Sequence, residues 1–481
     1  MFYSKELTSA SLNPVFGRIY QLYSTKWTFL VCIVIFEVGS AVCGAAPSSA
    51  AFVIGRAIAG VGSAGIFSGG MMVIIPLVPL RKRPIFTSIS GMTFAVSSVV
   101  APVIGRAFTD NVCWRWCFYL NLPIGGFTII AVLLFFHVPS PRREPQGVKD
   151  SILRVDPLGV VLFVPSIISL ILALEWGGAV FPWSAPKIIG LLVTFAVLLV
   201  VFIVVEVSTP VTAMIPTKVV LDRSISASML LVFLLTGAVM SVVYYLNIWF
   251  QVVKGDSATH AGISTIPMVL ALTIMRVLAA AMTQRIGYYV PAMWLVPVLA
   301  SAGGGLLSTL APSSNHRYWI GYQVLFGLGV GCGFQTANLS AQTVLPRSDV
   351  PIGMALMFFM QQLGGAVFLA VDQNLLSTKL VQRLSHVECL DAHAIVNTGA
   401  TDLGNAVSPN QLQTVISAYN YALTHIFVVS AGLGACAILG LPWANWRHII
   451  TKYDQHSLGL QPARDDGPGE AAARHCCERG Q

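Results

Sequence analysis

Charge is what this chain has least of. Of 481 residues only 10% are Asp, Glu, Lys or Arg, while 55% are apolar, against a charged share of about 25% in ordinary soluble domains. That balance excludes a water-solvated globule. Catalytic signatures are missing too: there is no His-Glu-x-x-His, no Gly-x-Ser-x-Gly and no Gly-x-x-x-x-Gly-Lys-Ser/Thr, which speaks against a metalloprotease, a serine hydrolase and an ATP-driven pump. The nine cysteines show no metal-ligand spacing. No cofactor, no metal and no enzyme activity are expected. Met1 to Pro14 carries Lys5 and Glu6 and has no apolar core, so it does not read as a signal peptide.

What the chain does have is apolar runs of about 20 residues, the length of helix that crosses a bilayer. Twelve can be marked: Trp27 to Ala45, Ala51 to Val78, Ile85 to Phe108, Trp116 to Val138, Pro157 to Trp176, Ile188 to Glu206, Ser226 to Phe250, Ile263 to Ala281, Tyr288 to Ala311, Tyr318 to Leu345, Pro351 to Leu375 and Tyr421 to Trp443. The expected fold class is an all-α integral membrane protein. The formal charge of +8 is explained by the positive-inside rule and not by nucleic acid, because Arg81, Lys82, Arg83, Arg142, Arg143 and Lys149 all fall on one side when the spans alternate. That side is read as cytoplasmic.

Two longer polar loops, Pro139 to Asp156 and Val207 to Ile225, divide the spans into groups of four, two and six. The expected organisation is a non-membrane N-terminal segment (1–16), an N-terminal helical bundle (17–138), cytoplasmic loops with two linker spans (139–225), a six-helix C-terminal bundle (226–443) and a disordered cytoplasmic tail (444–481). Ser377 to Asn420 reads as a long external loop. Gly60-Val-Gly-Ser-Ala-Gly65 formally matches a dinucleotide fingerprint but lies inside an apolar run. Its glycines, like Gly327, Gly329, Gly331 and Gly333, read as sites of close helix approach.

Gly17-Arg-Ile-Tyr-Gln-Leu-Tyr-Ser-Thr-Lys-Trp27 resembles the signature loop between the second and third spans of the major facilitator superfamily. Gly55 to Gly65, Pro79 to Pro84, Trp114 to Gly125 and Phe250 to Thr259 are similar to segments of its fungal fourteen-span drug:proton antiporters. The resemblance runs from about Gly17 to Trp443. It implies a fourteen-helix fold of which the first two spans are missing here, and an exporter of secondary metabolites, mycotoxins or drug-like molecules working by alternating access. Gly17, Arg18 and Lys26 are implied as the gating-loop motif. Gln21 stands where the superfamily usually has an acid, so the charge relay of that loop is expected to be broken. The family's antiporter motif survives only as Pro102 and Gly105.

Three sets of residues are candidates for chemistry. Glu37 lies mid-span, where a charge costs roughly 2.5 to 3.5 kcal/mol on insertion scales; counting at 1.5 Å per residue puts it about 12 Å, and Arg56 about 8 Å, below the outer surface. Glu37 and Arg56 are the proton-coupling candidates, with a permanent ion pair as the alternative. Gln335, Asn338 and Gln342 share one helix face and, with Gln361, Gln362, Tyr244, Tyr245 and Asn247, are the substrate-cavity candidates, with interhelix hydrogen bonds as the alternative. Asp372 and Glu175 are expected near span ends, hydrated; Arg276 lies deeper, without a role. The expected partners are membrane lipid, a small organic substrate and protons, for a monomeric chain in the plasma membrane, with a vacuolar or vesicular membrane as the alternative. A siderophore carrier of the same fold and a non-transporting membrane protein are the rival functions.

Overall fold

The structure, a computed structural model, describes residues 4–79, 82–136, 154–178, 180–209, 212–385 and 409–443. Long helices dominate: α1 (Ser4–Leu22), α2 (Thr25–Ala45), α3 (Ser49–Leu77), α4 (Arg83–Asn111), α5 (Asn121–Phe135), α6 (Pro157–Trp176), α7 (Pro186–Ser208), α8 (Arg223–Val253), α9 (Ile266–Ile286), α10 (Val290–Leu307), α11 (His316–Val344), α12 (Val350–Leu384) and α13 (Pro409–Cys436). The sole bridge pairing among the described residues joins Gly177 to Phe181. Helices are what lipid permits, since each satisfies its own backbone polar groups.

Ten helical stretches are long and apolar enough to cross a membrane, against the twelve expected. The two runs that fall short are α4 and α11, each 29 residues long but diluted by residues such as Thr87, Ser88, Gln323 and Gln335. On α7, Val193, Val197, Val200 and Val204 follow helical spacing and are each 55% to 60% exposed, which marks a face that meets lipid.

Two corrections concern boundaries. Residues from Ser4 onward are not a segment apart from the bundle; they open α1, whose Ala10, Val15, Phe16 and Tyr20 are buried and which packs on α3, α12 and α6. The external loop expected from Ser377 to Asn420 is shorter, because α12 runs on to Leu384 and α13 starts at Pro409. The expected tail, most of the first long loop, and His386, Glu388, Asp391 and His393 lie outside the described residues.

The N-terminal group packs α3 against α1 and α2; the C-terminal group packs α8, α10 and α11 against α9, α12 and α13. The two groups meet along α1–α12 and α4–α9. The linker pair α6–α7 is fastened by Phe163, which packs on Phe202 (5.0 Å) and on Phe359 of α12 (5.4 Å). Asp156, with φ of 60°, caps α6 by accepting from Gly159 N at 2.9 Å. Its other oxygen shares the Met214 N–H with Glu206, at 3.3 and 3.2 Å.

Close helix approach depends on glycine, as the sequence suggested. A Cβ on Gly62 would clash with the Phe36 backbone of α2, and one on Gly329 with Ala300 of α10. Gly329→Val should therefore force α10 and α11 apart at a cost of about 1–3 kcal/mol, while Gly321→Val on the same helix meets open space. Thermal unfolding of the purified chain in detergent should show a lower midpoint for the first variant and little change for the second.

Candidate functional site

The polar residues of the signature loop converge where the two groups of helices touch, at the end that the basic residues mark as cytoplasmic. Arg18 and Gln21 sit three apart near the end of α1 and so share a face. Arg18, buried to 8% exposure, donates from Nε to Arg154 O at 3.1 Å, from Nη1 to Gln21 Oε1 at 2.6 Å and from Nη2 to Thr212 O at 3.5 Å. Gln21 in turn donates from Nε2 to Asp349 Oδ1 at 3.1 Å. Asp349, just ahead of α12, also receives the Ser348 hydroxyl at 3.1 Å and pairs with Lys218 at 3.1 Å. Gly17 permits this approach: a Cβ there would lie 3.2 Å from both Ile352 Cα and Pro351 O.

Gln21 carries no charge for a charge relay, yet it bridges the same groups by hydrogen bonds. An amide accepts from a cation and donates to an anion at once, so Gln21 joins Arg18 to Asp349. A carboxylate in its place would repel Asp349. Hydrogen bonds to charged groups are worth about 1.5–3 kcal/mol, whereas the Lys218 pair, with the lysine 72% exposed, adds roughly 0–1 kcal/mol. Lys26 stands apart from this latch and donates to Leu133 O at 2.9 Å, tying α2 to α5.

The second seam runs between α4 and the C-terminal group. Gln335 Nε2 donates to Pro84 O at 3.0 Å and to Thr87 Oγ1 at 2.8 Å. Arg276 of α9 lies across Gly91 of α4, with its guanidinium 5.2 Å over the Phe334 ring, and its backbone oxygen accepts the Ser88 hydroxyl at 3.3 Å. Arg276, which had no role in the sequence, fills the α4–α9 contact.

The structure does not gather the cavity candidates into one lining. Asn338 and Gln342 are buried and donate back along α11, to Phe334 O (3.0 Å) and Asn338 O (3.4 Å). Each retains a buried carbonyl oxygen without a partner among the described residues. Tyr245 is buried and donates to Gln373 Oε1 at 3.2 Å, Tyr244 is 49% exposed and packs edge-on against it, and Asn247 donates to Val243 O at 2.8 Å. Gln361 and Gln362 are half-buried on α12. A separate cavity of 480 Å³ lies toward the opposite end of the C-terminal group, with Arg383, Thr414, Asn420 and Tyr421 among its lining; the Arg383 guanidinium sits 4.1 Å over the Tyr421 ring. No sequence motif marked it.

Glu37 and Arg56 are not brought together. Glu37 rests against Gly125 of α5, which has no side chain to displace it, and its Oε2 is buried without a partner among the described residues. Gly55 packs on Cys43 and Gly39 on Ala59, a register that places Arg56 about 7.5 Å beyond Glu37 along α2 at 1.5 Å per residue. Of the antiporter-motif remnant, Gly105 faces open space, and the side chain of Pro102 lies outside the described residues. Asp372 departs most from expectation. It is fully buried, because α12 continues to Leu384 instead of ending near Leu375.

Residues 6–369 match the model of the Major Facilitator Superfamily. The chain belongs to this superfamily. It is 44% identical over 443 residues to the MFS-type transporter VdtG of Byssochlamys spectabilis, covering 92% of this chain and 80% of that protein. It is 42% identical over 446 residues to the efflux pump aflT of Aspergillus parasiticus, covering 92% and 87%. Among solved structures, the superfamily's proton:xylose symporter XylE matches with a TM-score of 0.59 at 12% identity, covering 95% of this chain and 88% of that one. At that identity the likeness concerns the fold alone. As a superfamily member the chain is a multi-pass membrane transporter and not an enzyme.

If the amide of Gln21 latches the halves of this superfamily member, Gln21→Ala and Gln21→Glu should both loosen them. In a Ser348→Cys background, each should raise the rate of labelling by a cytoplasmic-side maleimide by roughly tenfold, as loss of a hydrogen bond to a charged group implies. Gln21→Glu should have the larger effect, through repulsion of Asp349.

Proposed function

We propose that this chain is a proton-coupled exporter of a secondary metabolite, mycotoxin or drug-like organic molecule, working by alternating access in the plasma membrane as a monomer. The observation that carries the reading is the latch of Arg18, Gln21, Asp349 and Lys218. Beside an apolar cluster that includes Phe16, Tyr20 and Met72 of one group and Met354 and Met357 of the other, the halves are joined at one end by polar contacts that water can replace. Such contacts break and re-form at low cost. The identity of 40% to 44% to fungal proteins named efflux pumps supports export as the direction.

For coupling, Glu37 is the candidate of the N-terminal group. A carboxyl with one buried oxygen lacking a partner is costly when ionised, and proton binding removes that cost. Arg56, displaced along the helix, is not its fixed counter-ion.

The test is ethidium efflux from a pump-deficient yeast expressing the full chain. Efflux should be present, should collapse on adding a protonophore, and should be reduced several-fold in Glu37→Gln. Correct membrane insertion with no ethidium efflux, and none of other organic cations or of xenobiotic acids, would count against export.

A further inference from the structure

We infer that Asp372 is a proton-binding site of the C-terminal group, read out through the hydroxyl of Ser241. This rests on the exporter reading for its purpose, but not for its chemistry.

Asp372 lies on α12 where that helix packs against α8, at a place fixed by Gly364, which lies on the Phe233 backbone, and by Gly237, which lies on Phe368. Both Asp372 and Ser241 are fully buried. One carboxyl oxygen, Oδ2, is in hydrogen-bond contact with Ser241 Oγ; the other, Oδ1, has no partner among the described residues. No arginine, lysine or histidine pairs with it among the described residues. An ionised carboxylate in such a place has lost its water and gained one hydroxyl, a poor exchange in a low-dielectric interior.

Counting hydrogens gives the device its two states. Ser241 Oγ lies within hydrogen-bond distance of two acceptors, Asp372 Oδ2 and Gly237 O at 2.9 Å, yet a hydroxyl has one hydrogen to give. With a proton on Oδ2, Asp372 donates to Ser241 Oγ, and Ser241 donates to Gly237 O. Both contacts are then satisfied in a chain. When that proton leaves, the Ser241 hydrogen turns from Gly237 O to the carboxylate, and Gly237 O keeps its helical N–H. The two states differ by one proton and one hydroxyl rotation, with no bond to carbon made or broken.

The titratable neighbours do not substitute for this proton. On α8, Tyr245 turns to Gln373 and Tyr244 is half exposed. On α13 the contacts Ser430–Ala238 and Trp249–Asn420 set the register that brings His425 nearest, and its Nδ1 is engaged with Tyr421 O at 2.8 Å. Glu175 of α6 lies on the side of α12 where Asn374 meets Gly177, away from α8. Lys5 of α1 lies over Phe36. Lys379 and Arg383 follow on α12 itself, about 10 and 16 Å farther along at 1.5 Å per residue. Phe67 of α3 meets α12 at Phe358 and Leu345 meets it at Gly353, both more than ten residues before Asp372; Arg56 of α3, next to the Gly55–Cys43 contact with α2, is the cation nearest in level.

Infrared difference spectra of the full chain in lipid, recorded between acid and alkaline buffers, read the carbonyl stretch of a protonated carboxyl. Wild-type protein should show a titrating band that Asp372→Asn lacks and Glu37→Gln retains. Ser241→Ala should keep the band and move its midpoint to higher pH, since the lost donor favours the ionised form more than the neutral one. In the same lipid, ethidium exchange by Asp372→Asn should no longer respond to an imposed pH gradient. Absence of exchange of ethidium, of other organic cations and of xenobiotic acids in the wild type sinks the exporter reading and leaves the band to decide Asp372. A band unchanged in Asp372→Asn, or a gradient response fully kept by it, overturns the site. Should Asp372→Asn fail to insert, the Ser241→Ala midpoint decides alone.

Discussion

Every polar group carried into hydrocarbon must find its partner inside the protein, and the rest of this structure follows from that constraint. Most side chains meet it locally. Thr236, Thr273, Thr283 and Ser241 fold back onto carbonyls one turn earlier in their own helices, which lets an apolar span carry hydroxyls at little cost. Gln335 meets the constraint across the seam to α4, and Arg83 turns back to the last carbonyls of α3, Val78 O at 2.9 Å and Ile75 O at 2.8 Å, where a cation is favoured by the helix end. Among the described residues, buried groups that fail it include one oxygen each of Glu37 and Asp372, the amide oxygens of Asn13, Gln323, Asn338 and Gln342, the hydroxyls of Ser9 and Ser68, and Nε of Arg276. The amides leave a neutral oxygen short of a partner. The carboxyls leave an oxygen that is costly only when charged, and therefore one whose energy depends on a proton.

Packing obeys a related rule. Lipid tails are as apolar as leucine, so helices gain little by hiding apolar surface from them and associate through close contact. That is why glycine recurs at the α2–α3 and α10–α11 contacts, and why the lipid-facing side of α7 is a stripe of valines with no need to interlock. At the junction between the halves, Gly17 brings α1 close to α12, apolar residues such as Phe16 and Tyr20 join the cluster of the C-terminal group, and Arg18 and Gln21 add hydrogen bonds at its end. A carrier has to part at that junction, and polar contacts part more readily than interdigitated side chains.

How much of this could be read in the sequence depended on the length scale of the question. Apolar runs set the helices, their grouping and the family resemblance, because a span of about 20 residues is a coarse signal that tolerates error in its ends. Contacts between side chains did not survive the same error. Glu37 and Arg56 are brought near each other by counting from assumed surfaces, whereas in the structure Glu37 rests on Gly125 of α5 and Arg56 lies next to the Gly55–Cys43 contact. Asp372 is expected near a span end because the apolar run closes at Leu375, yet the helix continues to Leu384, with the amides of Gln373 and Asn374 held by the protein. Gln21 was judged by the charge it lacks, whereas an amide's capacity to donate and accept together is what its position uses. In each case the deciding fact was the identity of the neighbour, which one sequence does not state.

The latch and the buried carboxyl share one element. Asp349 stands at the start of α12 and Asp372 lies 23 residues later on the same helix, about 35 Å away at 1.5 Å per residue. No chain of side chains needs to connect them, because a continuous helix moves as a body. Gly237 and Gly364 hold α12 and α8 close around Asp372, while Gln21 and Lys218 hold its other end through Asp349. A rotation or shift of α12 that alters the Ser241 contact therefore acts on the Asp349 contacts as well. The coupling proposed above requires an element whose two arrangements are biased by a proton at one end and a breakable latch at the other, and α12 carries a buried carboxyl and the latch in those places. The neutral amide of Gln21 adds no charge of its own, so the charges of the latch are those of Arg18, Lys218 and Asp349.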